Sequence, residues 1–465
     1  MADPPNRQAT IAPTAPAVAE LGSADPKSSV GVDTATDADA DLGRRRFFRQ
    51  FAGDIATTAA TVVGAAQALQ RTSAEMAAAI LDPTRAALGD GTTSVTAAVL
   101  VAEPVAGPLF RTAFQVDPGA IRFVDQRALP AAVVEHVATS AADVTFAIRN
   151  EIVVGGPAIG QAAAVGLALT AARSAASQPY PRRATLLGAA NALRNSSPTT
   201  ASLGWALDRV LAAYTAVGEL DEDGEAIAAA IQVEADAIVG EAMVEHGQLV
   251  EIGLALLDGM PAGPGASGAA SRGPLRLLVH GPSGTLAGGQ FGTALAIAIA
   301  AHHAEREVEV VVPEGRPGLV GARITCWELA GAGVRYTLLP DAAAAGLVAA
   351  GRVDAILVPA DRVAANGDVA SPIGSYGLAA AAAQRGIPFL VCATIGSLDG
   401  AIATGAELPI GAREAVDLIR IGEAAHAPTG TGVLAPVDDV VPAGLVSDYI
   451  TASGLGLPVF PAVAS

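Results

Sequence analysis

The chain has 465 residues, 51% of them hydrophobic and only 16% charged, which supplies core for two or three domains and excludes global disorder. Its formal net charge of −18 leaves no surplus of cations to displace counterions from phosphates, so a nucleic-acid partner is excluded. The only lysine, Lys27, lies near the N-terminus, which removes a lysine Schiff base and a Walker-type phosphate loop from the folded part.

Two cysteines, Cys326 and Cys392, and six scattered histidines provide neither a disulfide framework nor metal-ligand spacing. His302 and His303 are neighbours, but adjacent helical positions point about 100° apart and make a poor chelate. No metal and no other cofactor is expected. No uninterrupted apolar run of about 20 residues occurs, so no membrane span is expected.

Residues 1–43, rich in Ala, Asp, Thr and Pro without periodicity, read as a disordered tail. Residues 44–107 read as a helical N-terminal extension, with Phe47, Phe51, Ile55, Val62, Ala66 and Leu69 at helical spacing. A second reading of 44–68 is a twin-arginine export signal: Arg44 and Arg45 precede Phe47 and Phe48, then a weakly apolar stretch and Ala66-Gln67-Ala68. Asp54 inside that stretch and the long tail ahead of the arginines favour a retained helix and a cytoplasmic protein.

Residues 108–258 read as a mainly helical N-terminal domain after a short strand-rich start. The Gly/Pro/Ala/Ser segment 259–274 reads as a linker. From 275 to 465 the pattern alternates. "LRLLVH", "VEVVVP", "VRYTLL", "DAILVPA" and "IPFLVCA" are short apolar strands separated mostly by Ala-rich helical stretches. Strands apolar on both faces imply a parallel sheet covered by helices. The fold class is therefore α/β: a Rossmann-like, doubly wound C-terminal domain preceded by a smaller, mainly helical domain, with ligands expected at the carboxyl ends of the strands.

Three segments fall at strand ends in this reading. "VHGPSGTLAGGQFGTAL" (279–295) leaves a strand through a glycine-rich turn into a helix, a place where backbone amides can hold an anion or simply make a tight turn. "PADRVAANGDVASPIG" (359–374) follows "DAILV". Asp361 there is either an acid on the rim of a cleft or a residue that pairs with Arg362 or caps a turn. In "EGRPGLVGARITCWEL" (314–329), Arg316 and Arg323 either meet an anion or hold a turn.

Taken in order, "VDQRALP", "GGPAIG", "GARITCWELAGAGV", "ADRVAANGDVASPIG" and "VLAPVDDVVP" resemble the methylthioribose-1-phosphate isomerases. Their superfamily also holds ribose-1,5-bisphosphate isomerases and the regulatory subunits of initiation factor 2B. The resemblance runs from about residue 110 to the C-terminus and covers nothing in the first 107 residues. It implies a small N-terminal domain, a Rossmann-like domain, a homodimer, and an aldose-to-ketose isomerase that uses a cysteine and an aspartate between the domains.

Carried over residue by residue, the resemblance implies an edited site. Asp361 matches the family's catalytic aspartate. Gly281 stands where the catalytic cysteine belongs. The substrate-binding arginine and its neighbours have become Val154, Gly155 and Gly156. A second arginine has become Ser197, with Arg194 one turn earlier as a partial substitute. A glutamine has become Val320, and an Asn-Lys pair has become Ser371 and Pro372. A hydrogen bond to a charged group contributes roughly 1.5–3 kcal/mol, so these losses together would remove about four orders of magnitude of affinity or more.

Three functions remain open at this level. One is an isomerase-family enzyme on a sugar phosphate, with Asp361 as acid/base. Another is a non-catalytic relative that binds a small anionic ligand or partner subunits. The last, an extracytoplasmic binding protein, depends on the arginine signal.

Overall fold

A computed structural model describes residues 112–221, 223–260, 273–421 and 424–460. The tail, the 44–107 extension with its candidate signal, and most of the linker lie outside the described residues.

The described chain opens with an antiparallel sheet, β1 (Phe114–Asp117), β2 (Ala120–Val124) and β3 (Glu135–Ala138), in the order β1-β2-β3. Five helices follow: α1 (Ala141–Arg149), α2 (Gly156–Ser174), α3 (Pro179–Arg194), α4 (Ala201–Val217) and α5 (Gly224–Asp258). The α1 start is a reciprocal cap: Asp143 N donates to Ser140 Oγ (3.3 Å), while Thr139 N donates to Asp143 Oδ2 (2.9 Å). Asp223 caps α5, accepting from the amides of Glu225 (3.1 Å) and Ala226 (3.0 Å). α2 is built from Ala, Gly, Val, Ile and Leu on nearly every face, and almost all of it is buried. A helix apolar all round belongs in the middle of a bundle, and α2 packs against α1, α3, α4 and α5.

A seven-stranded sheet forms the second half. Its strands are β4 (Leu275–Val279), β5 (Val308–Pro313), β6 (Arg335–Leu339), β7 (Ala355–Pro359), β10 (Phe389–Cys392), β13 (Asp448–Thr451) and β14 (Gly454–Leu455), in the order β14-β13-β10-β7-β4-β5-β6. All pairings are parallel except the terminal β13–β14 pair. Side chains alternate across it as strand geometry requires. Leu277, Val279, Val310, Val312 and Leu357 join one core with α6 (Ala294–His303). Leu278, Val311, Ile356 and Val358 join the other with α8 (Asp341–Ala349) and α9 (Ser375–Arg385). Helices therefore cover both faces. α5 is shared: Ile227, Ile231 and Ile238 pack with the N-terminal helices, while Leu249, Val250 and Leu257 pack with β4 and α6.

The five strand segments read from the sequence are all present. This half also holds a further small sheet that the sequence pattern does not show. β8 (Arg362–Ala364), β9 (Val369–Pro372), β11 (Leu398–Asp399) and β12 (Asp438–Val441) form a small sheet in the order β11-β8-β9-β12 at the carboxyl end of β7. No described helix is long and apolar enough to cross a membrane.

Candidate active site

The chain leaves β4 toward β5 on one side and returns to β7 on the other, so the carboxyl ends of β4 and β7 flank the switch point of the sheet. Ligands of open α/β sheets bind in that crevice. A cleft of about 170 Å³ lies there. His280–Ser283 leaves β4 and forms one wall, Ala360 and Asp361 leave β7 and form another, and the first turn of α2 closes it from the N-terminal unit.

Asp361 faces the start of α2: a Cβ on Gly156 would stand 3.8 Å from Asp361 Oδ1. Its partner is Asp438, at the start of β12, which pairs with Pro372 on β9. The two carboxyl groups hydrogen-bond each other, and burial with the neighbouring charge raises Asp361 well above the ordinary carboxylate range. Burial raises Asp438 to about 6. Two carboxylates at contact share one proton because both cannot ionise cheaply. Asp361, raised further than Asp438, retains it. Neighbouring Asp439 is committed elsewhere, capping α9 through the amides of Gly374 (2.8 Å) and Tyr376 (3.0 Å). Arg362 does not pair with Asp361; it pairs with Asp399 and donates to the Thr199 carbonyl (3.0 Å).

Gly281 also lines the cleft, at φ +87°, a conformation that favours glycine. A Cβ there would stand 2.6 Å from Pro372 Cγ and 3.3 Å from Pro359 Cγ. The proline ring at 372 thus fills the space that a side chain at 281 would use. His280 donates from Nε2 to the Ile373 carbonyl (2.8 Å), which leaves its buried Nδ1 without a partner among the described residues. Burial lowers the imidazole's basicity and keeps it neutral. Cys392 ends β10 in the same cleft, but burial pushes its thiol far above neutral pH, so it is no thiolate nucleophile.

Several residues singled out in the sequence sit elsewhere. Ser197 is not part of the cleft wall; its Oγ bonds Thr200 Oγ1 at 2.8 Å. Arg194, its suggested substitute, pairs with Asp208 across 2.5 Å. Ser371 is fully buried behind the cleft, donating to the Pro359 carbonyl (2.9 Å) and bonding Ser375 Oγ (3.0 Å). Arg323 holds a turn, donating to the carbonyls of Gln126 (2.6 Å), Gly318 (2.9 Å) and Leu129 (3.3 Å). Val154 and Val320 do line the cleft, and behind it they pack into a small apolar cluster with Leu286 and Trp327. Gly155 and Gly156 supply the α2 N-terminus; a Cβ on Gly155 would stand 2.4 Å from the Ala287 carbonyl.

The site is not stripped of cations. Arg316 and Arg413 both line it. Arg413 is neutralised by Glu151 (2.6 Å) and Asp417 (3.5 Å). The Arg316 guanidinium reaches the Leu418 carbonyl at 3.4 Å and has no ion-pair partner among the described residues. Arg413 and Asp438 are not among the residues that the sequence singles out. Asp438 lies inside "VLAPVDDVVP", whose paired acids were the available signal.

The sequence profile of the Initiation factor 2 subunit family matches residues 152–458. The chain belongs to that family. Within it, this member is 40% identical over 341 residues to a methylthioribose-1-phosphate isomerase of Chloroflexus aurantiacus, covering 73% of this chain and 94% of the relative. The isomerase of the same name from Gemmatimonas aurantiaca is 40% identical over 346 residues, 74% of this chain and 93% of the relative. Among solved structures, 5-methylthioribose 1-phosphate isomerase of Pyrococcus horikoshii superposes with a TM-score of 0.64 at 30% identity, over 76% of this chain and 95% of that one. The delta subunit of translation initiation factor 2B from A. fulgidus gives 0.61 at 28% identity, over 74% and 95%.

Proposed function

We propose that this family member is an aldose–ketose isomerase of a small sugar phosphate, with Asp361 and Asp438 as its proton-transfer pair and a substrate other than methylthioribose-1-phosphate. The hydrogen-bonded carboxyl pair at the switch-point cleft carries the reading. One carboxylate as base and one carboxylic acid as acid suffice to move a proton between adjacent carbons.

In an open-chain aldose, the Asp438 carboxylate takes the C2 proton while Asp361 protonates the C1 carbonyl oxygen, giving an enediol. Return of the proton from Asp438 to C1, with loss of the O2 proton to Asp361, gives the ketose and restores both groups. Atoms and charge balance without a cofactor. His280 Nδ1 accepts a substrate hydroxyl. The α2 N-terminus, whose first N–H groups lack intrahelical acceptors, and Arg316 hold the phosphate. Gly281 supplies no thiol, and Val154, Val320 and Pro372 supply no polar contact. In methylthioribose-1-phosphate the phosphate also masks C1, so this pair would have no carbonyl to protonate.

The test is solvent deuterium incorporation at C2 across a panel of aldose phosphates in D2O, with thermal shift to record binding. Exchange is expected with at least one aldose phosphate, lost in both Asp361→Asn and Asp438→Asn. Methylthioribose-1-phosphate should give little or none. Exchange that survives both substitutions would overturn the pair. Binding without exchange would favour a non-catalytic relative that senses an anion, the reading to which the missing thiol at Gly281 points. The homodimer implied by the family belongs to this proposal too, and sedimentation reads it directly.

A further inference from the structure

A second cavity, of about 240 Å³, lies on the other side of the first turn of α2, sharing Pro157 and Thr394 with the cleft. It sits at the carboxyl ends of β10 and β13 and opens past Glu241, Ile395 and Val459, all exposed. Three polar side chains lining it are almost wholly buried, each with one atom lacking a partner among the described residues: Gln161 Oε1, Ser202 Oγ and His246 Nε2. The remaining atoms of two of them fix what is on offer. Gln161 Nε2 is used on the Gly288 carbonyl (2.8 Å), so its free oxygen is an acceptor. His246 Nδ1 accepts from Gly292 N (3.2 Å), so the neutral ring carries its proton on Nε2 as a free donor.

Glu245 completes the lining. One of its oxygens accepts from the Ile395 amide, and burial raises the carboxyl to about 7. No cation pairs with it among the described residues. The nearby Arg209 is engaged by Glu234 (2.6 Å) and Glu241 (2.5 Å) and lies over the Trp205 ring at 5.0 Å. Buried groups left unpaired in this way are costly unless something completes them. The volume exceeds what a single water requires.

We propose that this cavity is a binding site for a small hydroxylated amine, an amino alcohol or amino sugar, whose ammonium group meets Glu245 and whose hydroxyl accepts from His246 Nε2 and donates to Gln161 Oε1 or Ser202 Oγ. A neutral polyol would satisfy the three uncharged groups but leave Glu245 without a counter-charge, which is why the amine is favoured. The site is independent of the isomerase reading.

Titration calorimetry with ethanolamine, and with ethylene glycol as its uncharged counterpart, tests the assignment. Ethanolamine is expected to bind saturably at one site and ethylene glycol much more weakly. Glu245→Gln, which keeps the shape and the bond from Ile395, is expected to weaken ethanolamine about tenfold or more. Ala242→Leu, which fills the cavity without touching a charge, should abolish binding, and its melting curve reports whether it folds. Asp361→Asn should leave binding unchanged, placing the ligand outside the first cleft. No saturable heat, equal affinity for the two probes, or an unaltered affinity in Glu245→Gln would each overturn the proposal.

Discussion

Asp438 ionises near 6 in the folded chain, whereas an unfolded aspartate does so about two pH units lower. The folded state therefore favours the protonated form. That stabilisation is complete below the unfolded value and fades as pH rises through 6. Asp438→Asn stays neutral throughout, so it is expected to melt above the wild type at about pH 7.5 and to lose that advantage toward about pH 4. An offset that does not change with pH in thermal melts would contradict the burdened carboxylate. Gly281 yields an equally local expectation. Gly281→Cys would force a positive φ on a branched-off side chain and drive its Cβ to 2.6 Å from Pro372 Cγ. It should cost about 1–3 kcal/mol in denaturant unfolding and should create no new turnover. Adding Pro372→Ala should recover part of the loss. A Gly281→Cys protein of undiminished stability would show that the loop relaxes freely.

At the scale of one element, the cleft depends on a single helical turn, Thr285–Gly288, too short to hold itself. Glu328, on α7 (Cys326–Gly331), reaches across to accept from Thr285 Oγ1 (2.8 Å) and Leu286 N (3.1 Å). Burial raises this carboxyl to about 7. Glu328→Ala would leave the buried Leu286 amide unpaired, a loss of about 1–3 kcal/mol. Hydrogen exchange at Leu286 is expected to accelerate more than at β4, because the turn loosens while the sheet stays paired. Uniform acceleration across both would mean that Glu328 supports the whole domain rather than this turn. The motif "CWEL" was visible in the sequence as part of a family pattern, but no periodicity showed that its acid faced the glycine-rich loop.

For the whole molecule, α5 matters more than the linker that follows it. Because Leu249, Val250 and Leu257 fill the core against β4 and α6, a chain begun at residue 273 would expose that face. Such a fragment is expected to aggregate or to lack a cooperative melt, whereas one begun near residue 240 should melt cooperatively. A folded fragment starting at residue 273 would show that the second core stands without α5. By composition alone the division falls at 259–274. Composition marks where chain can be irregular, and it carries no record of which core a long helix serves.

The sequence by itself determined the α/β class, the five apolar strands and the family, because these rest on short-range patterns: alternation along a strand, apolar content over both faces, and ordered motifs. It also located Asp361 and Gly281 at strand ends, where parallel sheets present their ligands. Only the tertiary structure decided what surrounds them. Asp438 is 77 positions beyond Asp361 in the chain, and its partnership arises from the pairing of β12 with β9, a small sheet with no strong pattern of its own. Arg413 reaches the cleft and Ser197, Arg194 and Ser371 miss it for the same reason. Local periodicity constrains which face a residue occupies, while the groups it meets across the cleft are set by contacts between distant segments.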